Sequence, residues 1–465
     1  MESRFDRAGP PDDRWWREPL SHVVSGRKVV LVGGAAAGWT AAIGRLRALG
    51  ARDLLVVATE GAGAGPQPEA RVMIERPPPG DGMMSAMRGA ISLIGHPTAA
   101  MRAAIADFDP HGSAIYLGHF LNESPSIDGR PFLAHRRPEW VALEDKTVLA
   151  ELLASAGITS APSAVVALVD AAGTRHELDL GSGTVWAADS TSGFHGGAAG
   201  TRWVVSDDDA VRVTSELGRE AQDVRIMPFL EGIATSIHGI VLPDGIATVR
   251  PVELVTLRRG RDLVYSGCAT FWDPADDVRA EMQQAARRLG DVLRHQVDFR
   301  GAFTIDGIAT SSGFRPTELN PRFGAGLGVM TRGKPDLPPI PLVLDLIVGG
   351  YPLDISAAEL EALLVTSADA QRAGGTWNLH VDLSGEIAER AACFDGERWR
   401  WAHDGEDADA VVVGAGDFAS ARFVPERTPV GPSVGAPAAA FWQFFDDEHG
   451  THVGPLTAPR DVTVR

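Results

Sequence analysis

Cysteine is scarce: Cys268 and Cys393 are the only two in 465 residues. Two cysteines cannot make a disulfide framework or a thiolate metal site, so both read as core thiols. Lysine is nearly missing. Lys28, Lys146 and Lys334 are the whole set, nearly all positive charge rests on arginine, and each lysine deserves inspection. Net positive charge is absent as well. At -18 the chain lacks the basic face that nucleic acid or an anionic membrane selects, although a local basic pocket for phosphates is still allowed. No apolar run reaches the ~18 residues of a membrane span, and the opening "MESRFDRAGPPDDRWW" carries no apolar leader. The expectation is a cytoplasmic protein with neither nucleic-acid nor membrane partners. Internal repeats and low-complexity tracts are also lacking.

What remains is ordinary globular composition, 44% hydrophobic and 22% charged, in a chain long enough for two to four domains. Residues 1–25 read as a polar arm with Trp15 and Trp16 as anchors. "KVVLVGGAAAGWTAAIGRLRALGARDLLVVATE" reads as strand, glycine turn, helix, strand, the start of an open α/β domain over 26–140. In "EDKTVLAELLASAGI", Val148, Leu149, Leu152 and Leu153 recur at helical spacing and Gly157 stops the helix. Residues 183–205 read as strand, small-residue loop, strand. "IMPFLEGIATSIHGIVLPDGIATVRPVELVTL" predicts antiparallel strands around the turn "PDG". "DVRAEMQQAARRLGDVLRHQV" sets Val278, Met282, Ala285, Leu289 and Val292 on one helical stripe. The hairpin "GAFTIDGIATSSGFRPTELN" follows directly. Beyond 350 no motif stands out, and "VVVGAGDFASARF" reads as strand.

The hairpin carries the chemistry. Alternation along a strand puts Glu318 and Asn320 on one face. With the turn centred on Ser312, Asp306 faces Glu318 across the ladder, so three oxygen-bearing side chains converge. Such a set suits Mg²⁺, held by a few protein ligands and by substrate phosphates, and a cation gives clustered carboxylates a reason to be close. The bland alternative is an exposed hairpin with acidic residues there by chance. Arg322, two residues on, adds a guanidinium suited to a carboxylate or to developing phosphate charge.

"TID" at 304–306, "ELNPR" at 318–322, and the upstream "DK" and "MPFLEG" in that order between about 141 and 330 resemble the ATP-grasp superfamily. Its members activate a carboxylate with ATP and pass the acyl group to an amine, thiol or other nucleophile. The resemblance implies an α+β fold in which two subdomains, 141–225 and 226–350, grip ATP. A Rossmann-like domain at 26–140 would precede them and an extension at 351–465 would follow. It implies that Asp306, Glu318 and Asn320 hold Mg²⁺ against the ATP phosphates and that Arg322 stabilises the acyl phosphate. Lys146 would reach the phosphates, though a surface lysine at a helix start reads the same way. Met227, Phe229 and Leu230 would line the adenine slot, a pattern a buried strand also gives. The loop 190–200, with His195, Gly196 and Gly197, would be the phosphate lid or a plain connector. His238 and Glu253 would stand beside the substrate, or be ordinary satisfied strand residues.

The chain departs from that pattern twice. Ala187 stands where most members carry a second phosphate lysine, leaving His195, Arg202 or another arginine to compensate. "GIATS" stands where many carry a ribose glutamate, leaving Glu231 as the nearest candidate. "GGAAAG" at 33–38, with Glu60 beyond the next strand, departs from G-x-G-x-x-G and reads as a wall of the substrate cleft. The implied function is ADP-forming ligation of a small carboxylate or amino acid to an amine, of the amino-acid and peptide ligase type found in bacterial specialised metabolism. An ATP-binding protein of the same fold without catalysis, and an oxidoreductase using the glycine turn, are the competing readings. The expected partners are small molecules, and the oligomeric state is open, a homodimer included.

Overall fold

The computed structural model describes residues 12–63, 65–78, 82–189, 198, 200–379 and 381–462. "KVVLV" and "DLLVVA" have no polar face, the pattern of strands covered on both sides. They form Lys28–Val32 and Asp53–Ala58 inside a four-stranded parallel sheet, in the order Arg71–Ile74, Asp53–Ala58, Lys28–Val32, Ile115–Gly118. Gly33 and Gly34, at φ +95° and +65°, turn the chain where a Cβ on Gly33 would lie 2.8 Å from that of His119. The amides of Ala36 and Ala37 donate to the carbonyls of Gly61 and Ala62. A dinucleotide pyrophosphate would need those amides, so the protein itself closes the turn. The segment expected as an arm carries a helix, Arg14–Val24, because Trp15, Trp16, Leu20, Val23 and Val24 fall on one buried face. That face packs against the helix Ile340–Val348.

A second, antiparallel sheet has the order Ala164–Ala167, Asp223–Pro228, Thr184–Ala188, Thr201–Val204. Trp186, Ala188, Val224 and Ile226 turn outward, into a core closed by the helices Ala171–Leu178 and Asp207–Leu217. Alternation therefore leaves Val185, Ala187, Arg225 and Met227 on the inner face.

The third sheet is the largest, eleven strands among the described residues. It begins with the edge strand Gly313–Asn320 and continues through Gly301–Thr310, Ile233–Leu242, Val252–Arg259 and Asp262–Ala269. The stretch after 350 does not stand apart: Gly374–Asn378 pairs with Asp262–Ala269, and Phe418–Phe423, Ala410–Ala415, Ile387–Phe394 and Trp399–Trp401 extend the same sheet. The junction needs glycine, since a Cβ on Gly374 would sit 2.4 Å from the Ala269 backbone. Helix Asp276–Val297 covers one face with the stripe Val278, Met282, Ala285 and Leu289. Helix Gly435–His449 covers the extension on that same side of the strands, and Trp442 Nε1 donates to Thr376 Oγ1 at 2.7 Å.

Glu253 belongs to this back face. Val252 and Leu254 point into one core and Val255 and Leu257 into the other, so alternation carries Glu253 away from the cleft where the sequence reading placed it. Its carboxylate accepts from Ser433 Oγ and, at 2.9 Å, from Val434 N, and so anchors the start of the last helix. Burial pushes its pKa up to about 7 despite those donors. A carboxyl raised in this way binds its proton more tightly folded than unfolded. Its contribution to stability is present below the ordinary glutamate range and is lost as pH rises through about 7. Glu253→Gln keeps an oxygen to accept from Val434 N and offers an amide N–H to Ser433 Oγ, without the charge. It should raise the thermal midpoint at pH 8 and leave it nearly unchanged at pH 5; an identical pH 5 to pH 8 difference in both proteins would refute this.

Candidate active site

The hairpin meets its turn at Ser311 and Ser312, with Thr310 opposite Gly313. A regular ladder from a two-residue turn would pair Asp306 with Thr317 and send Glu318 to the other face. A bulge intervenes: Gly307 pairs with Pro316 but Asp306 with Glu318, leaving Thr317 as the extra residue. Pro316, which has no N–H to give, sits on the sheet's edge strand, where that loss is tolerated. The bulge delivers the facing carboxylates expected from the sequence, by a route the sequence spacing did not show.

Around them the contacts are specific. Ser236 Oγ donates to Asp306 Oδ1 and Asn320 Nδ2 to Asp306 Oδ2 at 2.9 Å. Lys146 Nζ lies 3.2 Å from Glu318 Oε1. Arg322 Nη2 donates to Asn320 Oδ1 and its Nε to Glu144 Oε1, both at 2.8 Å. Glu144 also accepts from Arg136 at 2.7 Å. Burial, and next the charge of Glu318, hold the Asp306 carboxyl well above the usual carboxylate range. Among the described residues no three His, Cys, Asp or Glu side chains gather to hold a metal on their own. Asp306, Glu318 and Asn320 offer two carboxylates and an amide, which fits a hard cation that takes its remaining oxygens from phosphate or water.

Next to this cluster is a slot between the second and third sheets. Met227, Phe229 and Leu230 line it with Val185, Ile308 and Leu263, and Lys146, Arg225 and Glu318 close one end. Phe229 stacks on Trp203 at 4.2 Å, and the Arg258 guanidinium lies 5.0 Å from the Phe229 ring. Glu231 is not in the lining. Its carboxylate accepts from Arg258 at 2.7 Å and from the Arg460 amide at 3.1 Å. The C-terminal segment thus returns to the slot: Thr457 and Arg258 exchange backbone hydrogen bonds, and Pro459 lines the opening.

His238 lies on the same face as Ser236 and Asp306, but buried beneath the turn after the hairpin. Its Nδ1 is 2.7 Å from Thr304 Oγ1, and a Cβ on Gly326 would meet its Nε2 at 2.3 Å. Burial lowers its pKa to about 3, so it is neutral. His195, Gly196 and Gly197 lie outside the described residues. Arg202 pairs with Trp186 on the outer face and donates to Glu216 at 3.0 Å, away from the slot. Arg225, Ser236, Glu144, Arg136 and His119 escaped the sequence reading. Signals existed for two of them, since Glu144 precedes Lys146 by two residues and Ser236 precedes His238 by two. His119, at the carboxyl end of Ile115–Gly118, has its pKa lowered to about 4 by burial and by the nearby Arg322 charge, which places the parallel sheet's carboxyl edge beside the cluster.

No protein-family model and no curated protein matches the chain. Solved structures do. An ADP complex of N5-carboxyaminoimidazole ribonucleotide synthetase is 14% identical over 91% of this chain and 98% of its own, with a TM-score of 0.50. The N5-carboxyaminoimidazole synthase of Aspergillus clavatus, solved with ADP and 5-aminoimidazole ribonucleotide, is 13% identical over 86% of this chain and 94% of its own, TM-score 0.50. A Rhizobium etli pyruvate carboxylase is 15% identical over 90% of this chain and 37% of its own, TM-score 0.50. Similarity at this level speaks to the fold. The chain has the ATP-grasp fold, with a Rossmann-like α/β domain ahead of it and a C-terminal extension behind.

Replacing Asp306 with Asn removes one of two facing, part-buried carboxylates while leaving groups that can bond Ser236 and Asn320. The ligand-free variant should melt higher than the parent by scanning calorimetry at neutral pH. A lower midpoint would mean that the carboxylate pair is stabilising by itself.

Proposed function

We propose that this chain is an ADP-forming, ATP-dependent carboxylate–amine ligase working through an acyl phosphate. The observation that carries the reading is the bulge-set convergence of Asp306, Glu318 and Asn320 beside Lys146, at the end of a slot lined by Met227, Phe229 and Leu230. In this reading Met227, Phe229 and Leu230 hold the base, and Lys146 with the carboxylate end of the slot receives the phosphates. Asp306, Glu318 and Asn320 would hold Mg²⁺, which when bound supplies Lewis acidity to the phosphoryl group.

The substrate carboxylate is a poor electrophile until one oxygen becomes a leaving group. A carboxylate oxygen attacks the γ-phosphorus, the bond from that phosphorus to the β–γ bridging oxygen breaks, and ADP leaves. An amine lone pair then attacks the acyl carbon, the bond to the phosphate oxygen breaks, and phosphate departs as the amine gives up a proton. Arg322, held by Glu144 and Asn320, would offset charge on the transferring phosphoryl group and on the oxyanion of the tetrahedral intermediate. The parallel sheet's carboxyl edge, with His119 and the closed Gly33–Gly34 turn, would wall the carboxylate and amine substrates. We place the reaction among amino acids or other small carboxylates in bacterial specialised metabolism, in the cytoplasm where ATP is supplied.

Purified protein incubated with ATP, Mg²⁺ and pooled amino acids and small acids should release ADP and phosphate, with the amide identified by mass spectrometry; AMP and pyrophosphate would overturn the mechanism. Glu318→Gln should lower turnover by at least about 100-fold with an unchanged circular-dichroism spectrum, and an unchanged rate would sink the site assignment. Deleting residues 456–465 opens the slot beside Arg258. It should raise the KM for ATP several-fold with a smaller change in kcat; an unaltered KM would show the tail to be irrelevant to nucleotide binding.

A further inference from the structure

Arg225 is 3% exposed, and its Nε has no hydrogen-bond partner. The side chain comes from the middle of the second sheet and crosses the gap to the third, where Nη2 donates to the carbonyl of Thr317. Thr317 is the bulged residue of the hairpin, on the edge strand. The Glu318 charge is close enough to favour the guanidinium, but burial prevails and lowers the arginine pKa to about 10. Glu318 also serves Lys146. Two buried cations therefore share one carboxylate at the end of the slot, and a guanidinium taken out of water without a full set of acceptors is costly. Other buried arginines are held by pairs of carboxylates: Arg250 by Asp273 and Asp369, and Arg136 and Arg175, whose Nε atoms also lack a partner, by Glu123 with Glu144 and by Asp179 with Asp207. Among the described residues Arg225 meets only a carbonyl.

From the unpartnered Nε, the shared carboxylate and the position in the slot wall, we infer that Arg225 is a phosphate-binding residue. Together with Lys146 it would take the anionic tail of the nucleotide. This rests on the nucleotide-binding reading of the slot. Arg225 also explains how the chain manages with Ala187. The two residues are direct cross-strand partners, Arg225 opposite Ala187, so their side chains leave the sheet on the same inner face a few ångströms apart. A cation from either position reaches the same end of the slot.

That register supplies the test. Affinities for a non-hydrolysable ATP analogue and for adenosine are measured by titration calorimetry on the wild type, Arg225→Met, Arg225→Lys, and the exchange variant Arg225→Met with Ala187→Lys, each checked for folding by circular dichroism. Arg225→Met should weaken the ATP analogue by about 10- to 100-fold, the loss expected for hydrogen bonds to a charged group, and leave adenosine unchanged. Arg225→Lys should lose less, and the exchange variant should recover most of the affinity. Equal loss for both ligands, or no loss for the analogue, would make Arg225 a structural residue and overturn the inference. So would an exchange variant that folds but binds no better than Arg225→Met. If the wild type itself binds neither ligand, the nucleotide reading of the slot fails first, which is a distinguishable result.

Discussion

Asp306 and Glu318 face each other on adjacent strands, an arrangement that two carboxylates resist. At cross-strand separations of ~5 Å and an effective dielectric near 20, the repulsion is about 3 kcal/mol. The hairpin keeps them there because the bulge at Thr317 and the ladder on both sides leave Glu318 no other face to occupy. Much of the neighbourhood is arranged in response. Ser236 and Asn320 both donate to Asp306, and Lys146 and Arg225 both approach Glu318. The backbone holds the two carboxylates together, and the cost of their closeness is offset by a raised Asp306 pKa and by cations from elsewhere in the chain.

The compensating charges come from separate parts of the chain. Lys146 precedes the helix Leu149–Ser155, Arg225 lies in the middle of the second sheet, and Arg322 follows the hairpin. Each is tied to the third sheet by a polar contact and to its own element by packing. The slot therefore depends on the approach of the two sheets, and the Arg225 contact with the Thr317 carbonyl is a polar tie across that gap close to the Lys146 end. Arg258 plays a comparable part at the other end, where it meets Phe229, Glu231 and the returning C-terminal segment.

What could be read from the sequence was what depends on short-range periodicity. The strand parity of Glu318 and Asn320, the stripe on Asp276–Val297 and the apolar runs of the parallel sheet are local patterns, and the structure has them. Two kinds of feature were hidden. One is register: Asp306 faces Glu318 only through a bulge, and Glu253 lies behind the sheet because parity along Val252–Arg259 is set by which residues enter which core. The other is distance in the chain. Arg225 is 92 residues from Thr317, Glu144 is 178 from Arg322, and nothing local marks either as a partner. "DVRIMP" looks like an ordinary strand with one arginine; only the second sheet's inner face gives that arginine its meaning.

The C-terminal region shows the same dependence on register. It lacks any motif, yet it contributes five strands to the sheet that bears the hairpin, joined at Gly374, where a side chain would strike the Ala269 backbone. Pairing there removes what would otherwise be an open edge at Asp262–Ala269. Glu253 then fixes the start of the last helix from the back of that sheet, and the chain beyond the helix comes round to Arg258 and Glu231 at the slot. The same strand, Val252–Arg259, thus carries the helix anchor on one face and the contact with the returning tail at its end. A change that loosens the helix would reach the slot between the sheets through that strand and its tail, without touching any residue of the carboxylate cluster.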